Sequence, residues 1–542
     1  MSYTRDIDTD LDYQVVVIGA GLSGIYQIKR LVDLGVRATV LEANEDLGGT
    51  WYNNRYPGAR FDSESYSYGY SFSKELLEEW HWTEHFSPQP ETLRYLNHVA
   101  DKFNLRSHMQ FGCRVESANF DDDTNTWTVQ LQDGRELSTR FVITAIGTLS
   151  TPTPPKFEGM ESFLGASFHA SNWPHEPLDL SGKRVAVIGA GATAIQIIPE
   201  VAKVAGQLTC FQRRPNWAAP LNNAFIDEAE MDEIRARYDE IFATCARSPG
   251  GFAHEPDPRS FYDATPEERR ALWDRLYDEP GFGIWLQNFT EIFVDEKANA
   301  ELSEYIAERI RQRVHDPKIA EQLIPKDHGF GVQRVPLETG YFETFNRENV
   351  ELINATETPI LSITPAGIDT SEHSFEFDVI VYATGFDAFT GAFDQIDIQG
   401  SNGLRLRDKW ANGPLTFFGT LISGFPNLMM VMGPQTPAAN FPRSAECSVD
   451  WVTPFLEHMW NHGYQRFDVA IQAENEWVDH VKAMYEGVLL RNAKSWFTGY
   501  NSNLEGHEYG KMRYNIYNGG GPRYTRMLNE MTENEYAGIQ FN

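Results

Sequence analysis

The chain has 542 residues, with 46 Lys and Arg against 77 Asp and Glu and a formal net charge of −31. At about 150 residues per domain this length corresponds to three or four domains, and 41% apolar with 13% aromatic residues is a globular composition, not that of an acidic disordered tail. The negative excess repels phosphate backbones and so argues against a broad nucleic-acid footprint.

The polar start, MSYTRDIDTDLDY, carries no apolar leader segment. It gives way to Gln14-VVVIGAGLSGIY, a β-branched run that turns through glycines into a helical pattern, and a second strand at Ala38-TVLEA ends in Glu42. Gly19, Gly21 and Gly24 between strand and helix permit a tight turn and the close approach of a pyrophosphate to a helix N-terminus, while Glu42 is placed to accept from a ribose hydroxyl. The expectation for this first site is FAD or NAD with a free 2′-hydroxyl.

From Thr50 to Tyr70 aromatics and turn residues dominate, strands return at Thr126-WTVQL and Phe141-VITAIG, and Ser150-TPTPPKFEG reads as a proline-stiffened linker. The opening theme then repeats at Lys183-RVAVIGAGATAIQIIP, 170 residues after the first turn if counted from Gly19 to Gly189. Here Gly189, Gly191 and Ala194 form the turn, and the second strand, Leu208-TCFQRRP, ends in Arg213 and Arg214 where the first copy has an acid. Guanidinium groups at that place favour a 2′-phosphate, so the second site is expected to take NADPH.

Between Asn222 and Ala320 the pattern is helical and highly charged, and strand character resumes at Phe377-DVIVYATGF. The stretch Phe417–Met432 is interrupted by Gly419, Ser423, Gly424 and Pro426, short of the ~18 unbroken apolar residues that span a bilayer. Cys113, Cys210, Cys245 and Cys447 lie far apart with no CxxC pair, which excludes a cysteine zinc cluster and a dithiol redox centre and fits a reducing compartment. A cytoplasmic protein with no membrane, nucleic-acid or metal partner is expected. Two dinucleotide sites without a dithiol leave oxygen as the expected electron acceptor.

Two longer patterns narrow the class. Gly48-GTWYNNRYPGARFD fits G-G-x-W-x4-[FY]-P-G-x3-D and ends at Asp62; Phe163-LGASFHASNW fits F-x-G-x-x-x-H-x-x-x-W through Gly165, His169 and Trp173. With these motifs, and with Ala383-TGF and Ala493-KSWFTG, the chain resembles the Baeyer–Villiger monooxygenases of the cyclohexanone monooxygenase type over nearly its whole length. The resemblance implies FAD and NADPH as cofactors, O2 as co-substrate and a C4a-peroxyflavin that converts ketones, cyclic ones expected, to esters or lactones. The alternative is a flavin monooxygenase that oxygenates amine nitrogen or sulfide sulfur.

The resemblance also implies residue roles. Arg334, in Gly331-VQRVPLET, matches the catalytic arginine, and Asp62 the carboxylate that pairs with it. Gly49, Ser23, Thr50, Trp51, Asp62, Tyr68 and Phe441 fall where the family contacts FAD, and Val115 where it meets adenosine. Arg60, Thr193, Gln196, Gln333, Arg334 and Trp496 join Gly189, Gly191, Ala194, Arg213 and Arg214 on the NADP side. Asn440 and Phe441 match the loop lining the substrate pocket. His169 is expected to link the nucleotide domain to the linker. Gln333 replaces a lysine that helps hold the 2′-phosphate, and Arg214 is expected to compensate. Asn53 replaces a common tryptophan, and Ile146 interrupts an A-T-G.

The expected fold is α/β, with two discontinuous Rossmann-like domains and a mostly helical insertion. Residues 1–149 and 386–542 would build the FAD domain, 150–221 and 331–385 the linker and NADPH domain, and 222–330 the insertion. The sequence leaves the oligomeric state open, with a monomer compatible.

Overall fold

The computed structural model describes residues 10–437 and 439–542, so most of the polar start read as leaderless lies outside the described residues. Two sheets organise the chain. In the first, the strands run in the order Asp397–Gln399, Val115–Asp121, Thr126–Leu131, Glu136–Thr144, Tyr13–Ile18, Ala38–Leu41 and Met109–Gln110, with Leu428–Met430 also paired to Glu136–Thr144. Its centre is parallel: Val15 pairs with Ala38 on one side and with Phe141 on the other. Val15, Val16, Val17 and Ile18 are all buried, as expected of a parallel strand covered by helices on both faces. The helix Leu22–Asp33 makes the crossover to Ala38–Leu41, and the long helix Phe441–His462 packs against it.

The second sheet is wholly parallel, in the order Val350–Asn354, Gln207–Gln212, Arg184–Ile188, Val379–Tyr382 and Ala166–His169. Helix Ala192–Ala202 covers it through Ile195, Ile197, Ile198 and Val201. The same unit, a strand feeding a helix that crosses to a parallel strand, is thus built twice, as the repeated glycine turns predicted. The chain passes between the sheets at Thr151–Pro152 and again at Phe386–Asp387, and these two crossings pair with each other in antiparallel register. Reciprocal hydrogen bonds between Thr153 and Thr384 tie the crossings side by side.

The helical stretch expected as one insertion is divided between the two cores. Helices Glu228–Ala236 and Tyr238–Arg247 place Met231, Ile234, Tyr238, Ile241 and Cys245 in the core that holds Trp82 and Tyr70. Helices Pro266–Asp278 and Glu296–Arg313 send Trp273, Leu276, Leu302, Ile306 and Ile310 into the core of the second sheet. The cause is local: each pair carries its own apolar stripe, and the loop between them, with Pro249, Pro256 and Pro258, cannot continue a helix. Thr265 and Glu268 close a reciprocal capping box at the start of the second pair. All four cysteines are free thiols, and burial pushes the Cys210 thiol up. Among the described residues no helix is long and apolar enough to cross a membrane.

Candidate active site

At the first glycine turn, the backbone of Gly21 meets that of Gly49, which holds a φ of 54°. A Cβ on Gly49 would lie 2.8 Å from the Gly21 Cα. Two backbones this close leave room for a flat, extended ligand only if both residues lack side chains. Gly24 packs the helix start onto Gly19, where a Cβ would fall 1.8 Å from the Gly19 carbonyl oxygen. Glu42 is buried, and its carboxylate is fixed at the turn by the Ala20 N–H at 2.7 Å and by the Asn44 backbone and side-chain N–H groups at 2.8 and 2.7 Å. Strand Val115–Asp121 starts close by, since Cys113 N–H donates to the Glu42 carbonyl. Thr50 is exposed at the start of a short helix, Trp51 Nε1 donates to Tyr68 Oη at 3.1 Å, and Tyr68 stacks on Phe61. Ser23 lies 3.9 Å from the Met432 sulfur. Two closely approaching glycine backbones beside a buried carboxylate fit an adenine dinucleotide with a free 2′-hydroxyl.

At the second turn, Gly189 has φ 133° and packs so closely on Ala383 that a Cβ would sit 2.2 Å from its carbonyl oxygen, while a Cβ on Gly191 would meet nothing within 4 Å. The open side at Gly191 faces the N-terminus of helix Ala192–Ala202, the position a pyrophosphate takes. Ala194, fully buried, allows the close packing its place requires. Arg213 is exposed and donates to Ser502 Oγ at 2.5 Å. Arg214 pairs with Asp327 at 3.2 Å, and its guanidinium lies over the Tyr500 ring. The His328 imidazole, and after it Arg214, holds the Asp327 carboxyl well below the usual range. Arg214, expected to compensate for the missing lysine at Gln333, therefore already has an acidic partner. An acid 113 residues downstream has no visible link to Arg214 in the sequence.

Between the two turns, Arg334 Nη1 donates to Asp62 Oδ2 at 2.7 Å; the Asp62 side chain is 4% exposed and that of Arg334 32%. The Leu337 N–H donates to the same oxygen at 3.2 Å, and Asp62 Oδ1 is buried without a protein partner. The carboxylate anchors one edge of a guanidinium whose other donors stay available. Arg334 lies 5.7 Å from the centroid of Phe282, which contacts Phe252 and Trp285. These aromatics were not singled out from sequence, where they look like ordinary core residues of a helical stretch. The Tyr56 hydroxyl donates to Gln196 Oε1 and also meets Thr193; burial, and then Asp62, push it up to about 12, so it stays neutral. Gln196 in turn donates to the Arg60 carbonyl, and the Arg60 guanidinium is spent on Glu84 and the Phe86 carbonyl. Thr193, Gln196, Tyr56 and Arg60 thus join the second glycine turn to the Asp62 segment.

His169 accepts from the Ser171 N–H at Nδ1 and donates from Nε2 to the Gly385 carbonyl, with burial holding it neutral. Nε2 thus reaches the crossing between the sheets, while Nδ1 is held within its own turn by Ser171. Trp173 is buried edge-on against Phe168. Trp496 is half-buried against Phe389 and Phe497. Phe441 is 36% exposed at the start of its helix, whereas Asn440 is 1% exposed and bridges Ser67 to Gly250. Asn440 thus lies within the wall, its Nδ2 committed to Ser67 and its Oδ1 buried without a protein partner. Beneath this wall sits a buried ion pair absent from the sequence reading, Glu64 with His254 at 2.6 Å; the carboxylate raises the imidazole pKa and the imidazole lowers that of the carboxylate.

Two dinucleotide cradles that converge on a buried Asp–Arg pair define a two-cofactor flavoprotein class. Residues 12–225 match the family model described as flavin-binding monooxygenase-like. A 2-oxo-Δ3-4,5,5-trimethylcyclopentenylacetyl-CoA monooxygenase of Pseudomonas putida is 42% identical over 97% of this chain and 97% of its own. Among solved structures, OTEMO in complex with FAD and NADP is 41% identical with a TM-score of 0.94 over 98% of this chain and 100% of that one. An oxidised steroid monooxygenase bound to NADP is 40% identical with a TM-score of 0.92 over 98% and 99%. The chain belongs to the flavin-binding monooxygenase-like family. Within it, this is an FAD- and NADPH-dependent Baeyer–Villiger monooxygenase.

Proposed function

We propose that the enzyme inserts one oxygen of O2 beside the carbonyl of a cyclic ketone, giving a lactone, and that Arg334 and Asp62 carry the chemistry of the site. The observation that supports this most directly is the 2.7 Å Arg334–Asp62 pair. It presents a permanently charged, oriented donor between the two cradles. Bound FAD would supply oxygen activation and NADPH the reducing equivalents. Arg334 stabilises the negative charge that develops on the carbonyl oxygen, as a preorganised donor does in an oxyanion hole. Asp62 fixes the guanidinium plane. Phe282, beside Arg334 and packed on Phe252, gives the guanidinium an apolar flank that suits a hydrophobic ring.

In this reading Gly19, Gly21, Gly24, Glu42, Gly49, Thr50 and Trp51 hold FAD, with Ser23, Tyr68 and Val115 around it. Gly189, Gly191, Ala194, Arg213 and Arg334 would hold NADPH, with Trp496 contributing to the same site; Thr193, Gln196 and Arg60 position that site from the side. The FAD unit comprises 1–149 and 386–542, the NADPH unit 150–221 and 331–385, and 222–330 bridges them. Free buried thiols and dependence on NADPH support a cytoplasmic location. The test is ketone-dependent NADPH consumption across cyclic ketones from small to polycyclic, with products analysed by mass spectrometry. A lactone heavier by one oxygen is expected. An N-oxide or S-oxide from amines or sulfides, with ketones inert, would overturn the assignment.

A further inference from the structure

The segment after Trp496 reaches the strand end that carries Arg213 and Arg214. Residues 499–513 fold back on themselves: the His507 ring meets the Gly499 carbonyl, Asn501 N–H donates to the His507 carbonyl and Arg513 N–H to the Thr498 carbonyl. The resulting loop docks at two places. Asn501 Nδ2 donates to the Phe386 carbonyl at 3.1 Å and Asn503 Nδ2 to the Thr384 carbonyl at 3.2 Å, both at the crossing between the sheets. On the other side, Ser502 Oγ accepts from Arg213 at 2.5 Å, and the Tyr500 ring lies 5.3 Å from the Arg214 guanidinium.

The charge balance at this spot makes those two contacts consequential. Gln333 supplies no cation, Lys326 is paired with Glu321 at 2.6 Å, and Arg214 is paired with Asp327. Arg213 remains the cation least committed to an acid, and its recorded side-chain partner is a loop hydroxyl. A bare arginine at an exposed strand end holds a phosphate weakly, because water competes for every donor. A roof that removes that water strengthens each charge-assisted bond.

We propose that Ser502 and Tyr500 are specificity-determining residues, completing the 2′-phosphate pocket from above so that loop docking and preference for NADPH over NADH are one coupled equilibrium. This rests on reading Arg213 as the 2′-phosphate ligand. A hydroxyl both accepts and donates. With a 2′-phosphate between Arg213 and the loop, Ser502 turns its O–H toward a phosphate oxygen, and Tyr500 holds the Arg214 plane flat against the site. By linkage, whatever factor the docked loop adds to 2′-phosphate affinity, the 2′-phosphate adds to loop docking. NADH lacks the group and gains nothing from the roof.

The test uses the FAD-loaded enzyme with NADP+ and NAD+ as probes, measuring Kd for each and amide hydrogen exchange in residues 496–513. In the parent enzyme NADP+ slows exchange in this segment more than NAD+ does. Ser502 is exposed, so Ser502→Ala does not threaten the fold. It is expected to weaken NADP+ about ten- to a hundredfold, the value of one hydrogen bond to a charged partner, to leave NAD+ unchanged, and to erase the difference in protection. Tyr500→Ala acts in the same direction. Equal weakening of both nucleotides, or equal protection by both, overturns the proposal. Arg213→Ala separates the premise from the inference. If it leaves the NADP+/NAD+ ratio unchanged, the phosphate assignment itself fails. If it collapses the ratio while the Ser502 and Tyr500 variants keep it, only the role of the loop fails.

Discussion

Replacing Arg334 by alanine removes the donor 2.7 Å from Asp62 Oδ2 and leaves that buried carboxylate with the Leu337 N–H alone. Stripping one partner from a fully buried pair costs about 3–5 kcal/mol. Arg334 is 32% exposed, so water reaches the site, and the expected loss of stability falls to about 2 kcal/mol. The catalytic loss is larger, because removal of one preorganised donor typically costs about 100- to 1,000-fold in kcat. Arg334→Lys keeps the charge but not the planar fork and falls between the two. Anaerobic stopped-flow measurement of NADPH-driven flavin reduction isolates the first half of the cycle, gas chromatography of the lactone reports the second, and urea denaturation gives the stability term. The expectation is near-normal flavin reduction with lactone formation lost. Normal lactone yield from Arg334→Ala would refute the assignment, and equal slowing of both halves would make Arg334 a nicotinamide-positioning residue instead.

Gly49→Ala forces a Cβ to 2.8 Å from the Gly21 Cα at a φ of 54°, and should give protein purified without bound flavin, read by its visible absorbance. Gln333→Lys is expected to tighten NADP+ about tenfold without altering NAD+, by adding a cation where Arg214 is already held by Asp327; unchanged Kd values would show that position 333 does not contact the phosphate. His254 has its pKa raised mainly by the Glu64 carboxylate working against burial, and Glu64 has its own lowered. The pair therefore contributes stability above the carboxylate range and loses it as pH rises through the raised imidazole pKa; His254→Ala should cost about 3 kcal/mol at pH 6 and progressively less at higher pH, read by thermal denaturation. Asp387, at the crossing strand, is pushed up to about 6 by burial and then by Asp394. A raised carboxyl costs stability as it ionises, so Asp387→Asn should stabilise by about 2 kcal/mol above pH 7 and by nothing below pH 4.

The strand–turn–helix units were legible in the sequence because their determinants are local. Val15 to Ile18 pack through adjacent residues, and the glycine spacing fixes the turn whatever surrounds it. Asp62 and Arg334 were legible for a different reason: each sits in a long motif, and the resemblance supplied their pairing across 272 residues, which spacing does not encode. What escaped was long-range and chemically ordinary. Glu64 and His254 carry no pattern that marks them as partners, since a buried ion pair is recognised only once both groups have lost their water. Phe282 and Phe252 read as core aromatics, and they are; that Phe282 also lies 5.7 Å from Arg334 is a long-range contact that no local pattern encodes.

The same contrast governs the second cofactor site. Sequence assigns Arg213 and Arg214 together, as two cations at one strand end. Folding makes them unequal, because Asp327 and His328 come to one and Ser502 to the other. A site with two free guanidinium groups would bind a 2′-phosphate whether or not the loop is docked, and nucleotide choice would be settled before closure. A site with one arginine pre-paired and the lysine replaced by Gln333 binds the phosphate well only when the roof is in place. Substituting Asp327 should therefore free Arg214 and make NADP+ affinity less dependent on Ser502. In the double variant Asp327→Asn, Ser502→Ala, the loss from removing the hydroxyl should shrink below its value in the parent enzyme, and two strictly additive effects would show that the arginines act independently of the loop.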